Sequence, residues 1–132
     1  MAKTILQSAK LAASGGIMSH GVEVEAGKMV FVSGQVARDP DGSVVGVGDI
    51  KAQTRKVLQN MQAVLAESSA TMDDVVKVTV FVTNLEMHFA AIHQVRGEFF
   101  KSDYPASTMV EVKSLVHEDM LIEIEAIAVT HS

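Results

Sequence analysis

The fold of this chain is decided near its C-terminus by the stretch LIEIEAIAV, residues 121–129. Even-numbered positions carry isoleucine or alanine, whereas the odd-numbered ones place Glu123 and Glu125 among leucine, isoleucine and valine. A period of two predicts a β-strand with two unlike faces. A solvated face would not need the odd-numbered hydrophobes, and an ordinary core would not accept two carboxylates, because burying an unpaired charge costs several kcal/mol. The odd face therefore predicts half of a contact between subunits, with a polar cavity in it.

Three other segments are predicted to contain strands. Residues 74–83 alternate along their whole length and predict a long central strand, and residues 105–112 predict the strand that accompanies residues 121–129. Residues 22–34 alternate on both sides of Gly27-Lys28 and predict a β-hairpin that turns there.

Two segments carry apolar side chains at helical spacing. The first runs from Asp49, which is suited to cap it, to Ser68. The second runs from about Glu86 to Lys101, with Asn84 as a candidate cap. The buried side of the second helix is predicted to consist of Phe89, Ile92, Val95, Phe99 and Phe100.

The predicted order is β-β-α-β-α-β-β in a single domain over residues 1–132, which is an α+β fold. One face of each strand is β-branched or small and suits the two helices. The opposite faces mix polar and apolar groups, namely Phe31, Ser33, Thr79, Phe81, Ser107, Met109, Glu123 and Glu125. A sheet with helices on one side and so much hydrophobic surface on the other is expected to associate through its open face.

The amino-acid composition argues against several classes of function. The formal net charge is −5 and basic residues do not cluster, which argues against nucleic acid and against an anionic membrane surface as partners. The chain has no cysteine, which excludes disulfides, zinc-thiolate sites and thiol nucleophiles. The N-terminal residues lack the apolar run of a signal sequence or membrane span, so we expect a cytoplasmic protein.

Residue motifs for phosphate, dinucleotide or metal binding are not found. Gly46-Val47-Gly48 lacks the third glycine of a dinucleotide turn and is predicted to be loop. His88 and His93 are five residues apart, which is poor spacing for metal ligands on a helix. We therefore predict no metal site.

Three small groups of residues are candidates for a site. Ser33-Gly34 ends a predicted strand and either forms a tight exit or leaves room for a ligand against the backbone. His93 and Arg96 lie one helical turn apart and either present donors to a cleft or form a polar stripe on an exposed helix.

The third group is Glu123 and Glu125, which lie about 6.6 Å apart on one strand face. Only one of them need reach a cavity, where a partly dehydrated carboxylate can exchange a proton with bound water near neutral pH. The alternative is that both pair with a basic group such as Lys77 or Lys113 on a neighbouring strand.

These residues form a recognisable pattern from about Gly16 to Val129. The matching pieces are Val32-Ser33-Gly34-Gln35, Gln53-Thr54-Arg55, Val57-Leu58-Gln59-Asn60, Asp74-Val75-Val76-Lys77-Val78-Thr79-Val80-Phe81-Val82, Tyr104-Pro105-Ala106, Val110-Glu111-Val112 and Ile122-Glu123-Ile124-Glu125-Ala126. In these pieces the chain resembles the RidA/YjgF family of reactive-intermediate deaminases, which is also described as endoribonuclease L-PSP-like.

The resemblance implies a chorismate-mutase-like fold and a homotrimer whose sheets form an inner barrel with three clefts between subunits. Active members hydrolyse enamines and imines to a keto acid and ammonia without a cofactor. By the same resemblance, Ser33, Gly34 and Glu123 are retained. RNA cleavage, reported for some relatives, fits poorly with an acidic chain.

Several of the residues that contact substrate in active family members are replaced in this chain. Active deaminases follow the Pro-Ala dipeptide with an arginine that holds the substrate carboxylate, and this chain has Ser107 there. The family's cysteine two residues later is Met109, the cleft tyrosine corresponds to Met18, and the asparagine of the second helix falls at His93. The chain is therefore expected to belong to a subgroup without that arginine and to capture carboxylates about ten- to hundred-fold more weakly in the family's pose.

Two functions remain open from the sequence. In the first, Glu123 activates water for attack on an imine or related C=N carbon, although not on the usual amino-acid-derived imines. Ser33 and Gly34 then hold the substrate, and Met18, His93, Ser107 and Met109 shape the pocket, with Arg96 available to replace the missing charge. In the second, the same cleft binds a small metabolite without turnover and serves regulation.

Overall fold

A computed structural model describes residues 3–131, in which six strands and two α-helices are formed. The elements are β1 (Lys3–Leu6), β2 (Gly21–Val24), β3 (Lys28–Gln35), α1 (Ile50–Ala66), β4 (Val75–Val82), α2 (Leu85–Phe99), β5 (Ala106–Glu111) and β6 (Ile122–Thr130). A short 3₁₀ turn, Met72–Asp74, leads into β4.

The main sheet has the strand order β3-β6-β4-β5. Strand β6 lies between β3 and β4 and is antiparallel to both, whereas β4 and β5 are parallel because helix α2 carries the chain back between them. The two helices pack on one face of this mixed sheet, and the predicted α+β class is confirmed.

The alternation of β6 is confirmed by its burial. Ile122, Ile124, Ala126 and Ala128 are all buried on the helix side. In the ladder to β4, Ala126 lies opposite Val78 and Ile124 opposite Val80, so the inward rows of the two strands coincide. Val57, Leu58, Met61 and Leu65 of α1 are fully buried in the same core.

Both helices begin at the residues that the sequence predicts. Oδ1 of Asp49 accepts the backbone N–H of Ala52 at 3.0 Å, and Oδ1 of Asn84 accepts that of Met87. Asn84 takes a left-handed backbone conformation, φ 53°, which asparagine tolerates better than most residues. Glu111 of β5 adds a third contact by accepting the Leu85 N–H at 2.8 Å.

The predicted hairpin over residues 22–34 is wrong. Strand β2 pairs instead with β1 in a separate two-stranded sheet, and β3 pairs with β6. The physical reason is that β6 is long enough to offer β3 an extended ladder, in which Val30 and Val32 lie opposite the small residues Ala128 and Ala126. Local alternation indicates that both segments are strands and does not determine their partners.

The face predicted for Ser107 and Met109 is also wrong. The parallel register places Ser107 opposite Val78 and Met109 opposite Val80, on the side of the sheet that carries the helices. Thr108 instead faces the open side, where its Oγ1 accepts a hydrogen bond from Lys77 Nζ at 2.8 Å. Because successive residues alternate, the register with β4 fixes the direction of every side chain in β5.

The buried side of α2 differs from the predicted one at Phe89, which is 48% exposed. The stripe that faces the core contains Ile92, Val95 and Arg96, and Phe89 stacks on the ring of His93 at the outer margin. Arg96 therefore belongs to the buried side and not to an exposed polar stripe.

The sheet's open face carries the hydrophobic surface that the sequence predicts. Phe31 is 67% exposed and Met29 56% exposed. A shallow cavity of about 240 Å³ lies on this face, and Phe31, Ser33, Lys77, Thr79 and Glu125 contribute to its lining. Association through this face remains a prediction for a single described chain.

Within residues 3–131, no helix is both long enough and apolar enough to traverse a bilayer.

Candidate functional site

The predicted site residues fall into two groups at opposite sides of the main sheet. The carboxylate half-site consists of Ser33, Gly34 and Glu123, on β3 and β6. The arginine half-site consists of Met18, His93, Arg96, Ser107 and Met109, on the N-terminal loop, α2 and β5. Strands β3 and β5 are the two edges of the sheet, about 14 Å apart at three inter-strand spacings.

The carboxylate half-site forms where β3 leaves its ladder. The pairing with β6 is interrupted by a bulge between Val32 and Gln35, so that Ser33 and Gly34 have no regular partners. A Cβ on Gly34 would overlap the carboxylate of Glu123, which therefore lies directly against the Gly34 backbone. Glycine is required here for that close approach.

The structure separates the two glutamates of β6. Glu123 is half-buried beside Gly34, whereas Glu125 is exposed and lines the open-face cavity with Lys77 and Thr79. Neither glutamate forms an ion pair with Lys77 or Lys113 in the described part of the chain. Glu123 is thus the glutamate that lies against the backbone of Gly34.

In the arginine half-site, the central group is Arg96, which is only 2% exposed. Its Nη2 donates a hydrogen bond to Oγ of Ser107 at 3.0 Å. Burial lowers the pKa of Arg96 to about 10, so that the guanidinium is still charged at neutral pH.

His93 holds the N-terminal loop. Its Nε2 accepts the backbone N–H of Ile17 at 2.8 Å, so the proton of the neutral ring must be on Nδ1. That Nδ1 is buried and has no hydrogen-bond partner within residues 3–131. Burial, together with the nearby Arg96 cation, lowers the pKa of His93.

The loop that carries Met18 is fixed on both sides of that residue. Gly16 has φ +78°, and a Cβ there would overlap the His93 ring, so the backbone packs against the imidazole. Ser19 donates its N–H to Pro105 O at 3.0 Å and its hydroxyl to Tyr104 O at 2.6 Å. Met18 is thereby placed next to the start of β5, beside a cavity of about 290 Å³.

Sequence reasoning missed the part that Gln53 has in positioning the site. This side chain is fully buried in α1 and donates to Asp119 O at 2.7 Å while it accepts the Leu121 N–H at 2.8 Å. It therefore fixes the start of β6 two residues before Glu123. The available signal was a Gln-Thr pair, residues 53 and 54, inside the apolar stripe of the helix.

Among residues 3–131, histidine, aspartate and glutamate side chains do not gather in groups of three or more that could hold a metal ion.

We expect the protein to lose stability as the pH falls below about 6.5, the ordinary pKa of histidine. Below that pH the unfolded chain binds a proton at His93, whereas the folded chain, with its lowered pKa, does not. The free energy of unfolding therefore decreases from about pH 6.5 down to the folded pKa and stops changing below it. Urea unfolding of the native protein and of His93→Gln, measured from about pH 8 to pH 5, checks this.

The glutamine variant keeps an acceptor for the Ile17 N–H and does not titrate, so its stability should depend less on pH. His88→Gln, on the same helix, is the matched control and should keep the native pH dependence. Identical slopes for the native protein and His93→Gln would show that this imidazole does not contribute.

The comparisons with known proteins agree with this architecture. A family model described as Endoribonuclease L-PSP matches residues 9–130. The chain belongs to the RidA/YjgF family. A RutC family protein of Pyrococcus abyssi is 41% identical over 128 residues, which are 97% of this chain and 98% of that protein.

Solved structures of the family superpose well. The Rid-family protein YyfB of Yersinia pestis, whose function is unknown, is 34% identical with a TM-score of 0.91 and covers 98% of this chain and 100% of its own. E. coli TdcF, crystallised with bound serine, is 33% identical with a TM-score of 0.71 over 97% of this chain and 99% of its own. The resemblance inferred from sequence is confirmed at the level of the family.

Proposed function

We propose that this Rid-family protein hydrolyses the C=N bond of small imine or enamine metabolites in clefts between the subunits of a homotrimer. The observation that carries the proposal is the separation of the two half-sites within one sheet, the carboxylate half-site on β3 and β6 and the arginine half-site at the β5 edge. Within one protomer Glu123 lies on the open face of β6 and Ser107 on the helix side of the edge strand β5, whereas in an assembly the β3–β6 side of one protomer can meet the β5 edge of the next.

Family structures support a small-molecule ligand. The bound serine in TdcF is a small amino acid, comparable in size to the imines proposed here. The Glu123 carboxylate is half-buried and without a cationic partner in the described chain, as a group that handles water in a cleft should be.

The proposed reaction needs one carboxylate and one water. Glu123 takes a proton from water as the oxygen attacks the C=N carbon, and a tetrahedral carbinolamine forms. The proton passes from Glu123 to the nitrogen, which gives the neutral carbinolamine. Glu123 then takes the proton of the carbinolamine hydroxyl and returns it to the nitrogen as the C–N bond breaks, so that ammonia and a carbonyl compound leave. The backbone at Ser33 and Gly34 holds the substrate, and Met18, His93, Ser107 and Met109 shape the other wall of the cleft.

The direct test is ammonia release from two sets of imines generated in place, those without a carboxylate from an amine oxidase and those with one from an amino acid oxidase, with the purified protein added. Acceleration over the protein-free rate supports the proposal. A ligand that raises the melting temperature and is recovered unchanged would instead indicate a binding protein. RNA incubated with the protein after removal of contaminating nucleases should stay intact.

Phe31→Glu is expected to dissociate the oligomer, because it places a charge on the apolar open face, where Phe31 is 67% exposed. Light scattering coupled to gel filtration should change from three chain masses to one, and ammonia release should fall to the background rate. Met87→Glu, at a methionine that is 71% exposed on α2, is the matched control and should remain trimeric. A native protein of one chain mass would contradict the shared cleft.

A further inference from the structure

Two histidines hold the N-terminal loop, and their ring nitrogens have opposite roles. At His93, Nε2 accepts the Ile17 N–H at 2.8 Å and therefore carries no proton. At His20, Nε2 lies 2.7 Å from Ala12 O, and because a carbonyl oxygen can only accept, this nitrogen carries the proton. Protonation of the rings thus has opposite consequences: it removes the acceptor at His93 and leaves the donor at His20 in place.

The segment between these contacts, residues 13–18, has few attachments. Ser19 fixes one end through its two hydrogen bonds to the backbone just before β5, and the contact with His20 fixes the other. Within residues 3–131, the bond from the Ile17 N–H to His93 is the only hydrogen bond of this segment. The segment therefore depends on the acceptor state of one imidazole.

A charged ring at His93 does not fit this arrangement. Its Nε2–H would point at the Ile17 N–H, so that two donors would face each other. Burial, and then the Arg96 cation on the same helix, lower the pKa of His93. Residues 13–18 of the loop and 106–109 of β5 contain no ionisable side chain that could compensate the charge. The ionisable groups that line the neighbouring cavity and do not shift this pKa are His20, Asp103 and Tyr104.

We propose that the neutral imidazole of His93 is a latch for residues 13–18, and that its protonation opens this segment while His20 and Ser19 keep the two ends in place. The latch is a property of the loop and goes beyond the proposed hydrolysis. Opening moves one wall of the cavity of about 290 Å³ beside the start of β5. The residues of that wall are Ser14, Gly16 and Met18.

The latch opens on acidification. In the open form the ring has the ordinary histidine pKa of about 6.5, whereas in the closed form its pKa is lower, so protons bind preferentially to the open form. The ratio of open to closed molecules rises by up to about ten-fold for each pH unit below 6.5 and stops rising below the pKa of the closed ring. At neutral pH the segment stays closed, because the Ile17 side chain also packs over Gly97 of α2.

Amide hydrogen exchange of the nitrogen-15-labelled full chain, measured by NMR from about pH 7.5 to pH 5, tests the latch. Each rate is divided by the rate of an unprotected amide at the same pH, which gives the open fraction. At Ile17 this fraction should rise at least about five-fold over the range. At about pH 5 it should exceed the open fraction at Ser19 by at least about ten-fold, because the latch opens locally.

His93→Gln keeps an acceptor for the Ile17 N–H and does not titrate. Its open fraction at Ile17 should therefore change by less than about two-fold over the same range. His20→Gln is the matched control, because it keeps a donor for Ala12 O in the same loop, and it should show the native rise at Ile17.

A readout without substitution covers the case in which a variant does not fold. Nitrogen-15 shifts of the imidazole rings in the native protein should show, near pH 7.5, the proton of His93 on Nδ1 and a proton on Nε2 of His20. On acidification, protonation of His93 should follow the same pH dependence as the open fraction at Ile17.

A proton on Nε2 of neutral His93, equal open fractions at Ile17 and Ser19, or a native pH response in folded His93→Gln would overturn the latch. So would loss of the response in His20→Gln, which would assign it to the other histidine. None of these measurements needs a substrate, so the latch and the proposed hydrolysis fail separately: ammonia release judges the hydrolysis and amide exchange judges the latch.

Discussion

Glu123→Gln is expected to lower the turnover of a C=N substrate by about two to four orders of magnitude. The amide occupies the same space against Gly34 but cannot take a proton from water. The measurement is the steady-state rate of ammonia release at saturating substrate, with the mass from light scattering as the check that the assembly is intact. Glu125→Gln, two residues away on the same strand face and exposed, is the matched control and should change the rate by less than about three-fold.

The opposite ranking of the two variants would assign the chemistry to Glu125 in the open-face cavity and not to Glu123 beside Gly34. Retention of most of the native rate in Glu123→Gln would remove the general base from the proposed mechanism. Either result is informative because both substitutions preserve the shape of the side chain and remove one negative charge.

Gln53→Leu is expected to lower the free energy of unfolding by about 2 to 5 kcal/mol. Leucine fills similar space but leaves Asp119 O and Leu121 N–H without their hydrogen bonds to the side chain, in a part of the core where Gln53 is fully buried. Urea unfolding at one fixed protein concentration measures the change, since the stability of an oligomer depends on concentration.

The control for this substitution is Gln62→Leu, on the exposed side of the same helix. It introduces the same residue type and should alter stability by no more than about 0.5 kcal/mol. Equal effects at residues 53 and 62 would mean that the cost comes from the helix and not from the lost side-chain hydrogen bonds of Gln53. Ammonia release should also fall in Gln53→Leu, because the start of β6 positions Glu123.

Much of the carboxylate half-site could be predicted from residue types along single strands. Alternation in residues 121–129 placed Glu123 on the open face, and small residues at 33 and 34 indicated room for a close approach. The arginine half-site could not be predicted in the same way. The face of Ser107 depends on its register with β4, and the burial of Arg96 depends on how α2 is rotated against the sheet.

The sequence by itself determined the strands and helices of residues 49–130, both helix caps and the mixed open face, because these follow from short periods and from hydrogen bonds between residues close in the chain. It also determined the family, through motifs distributed over its length. Only the tertiary structure decided that β3 pairs with β6, that Ser107 faces α2 and that the Ile17 N–H reaches His93, a contact across 76 residues. Such choices depend on register and on the packing of distant segments, and no local pattern of side chains encodes them.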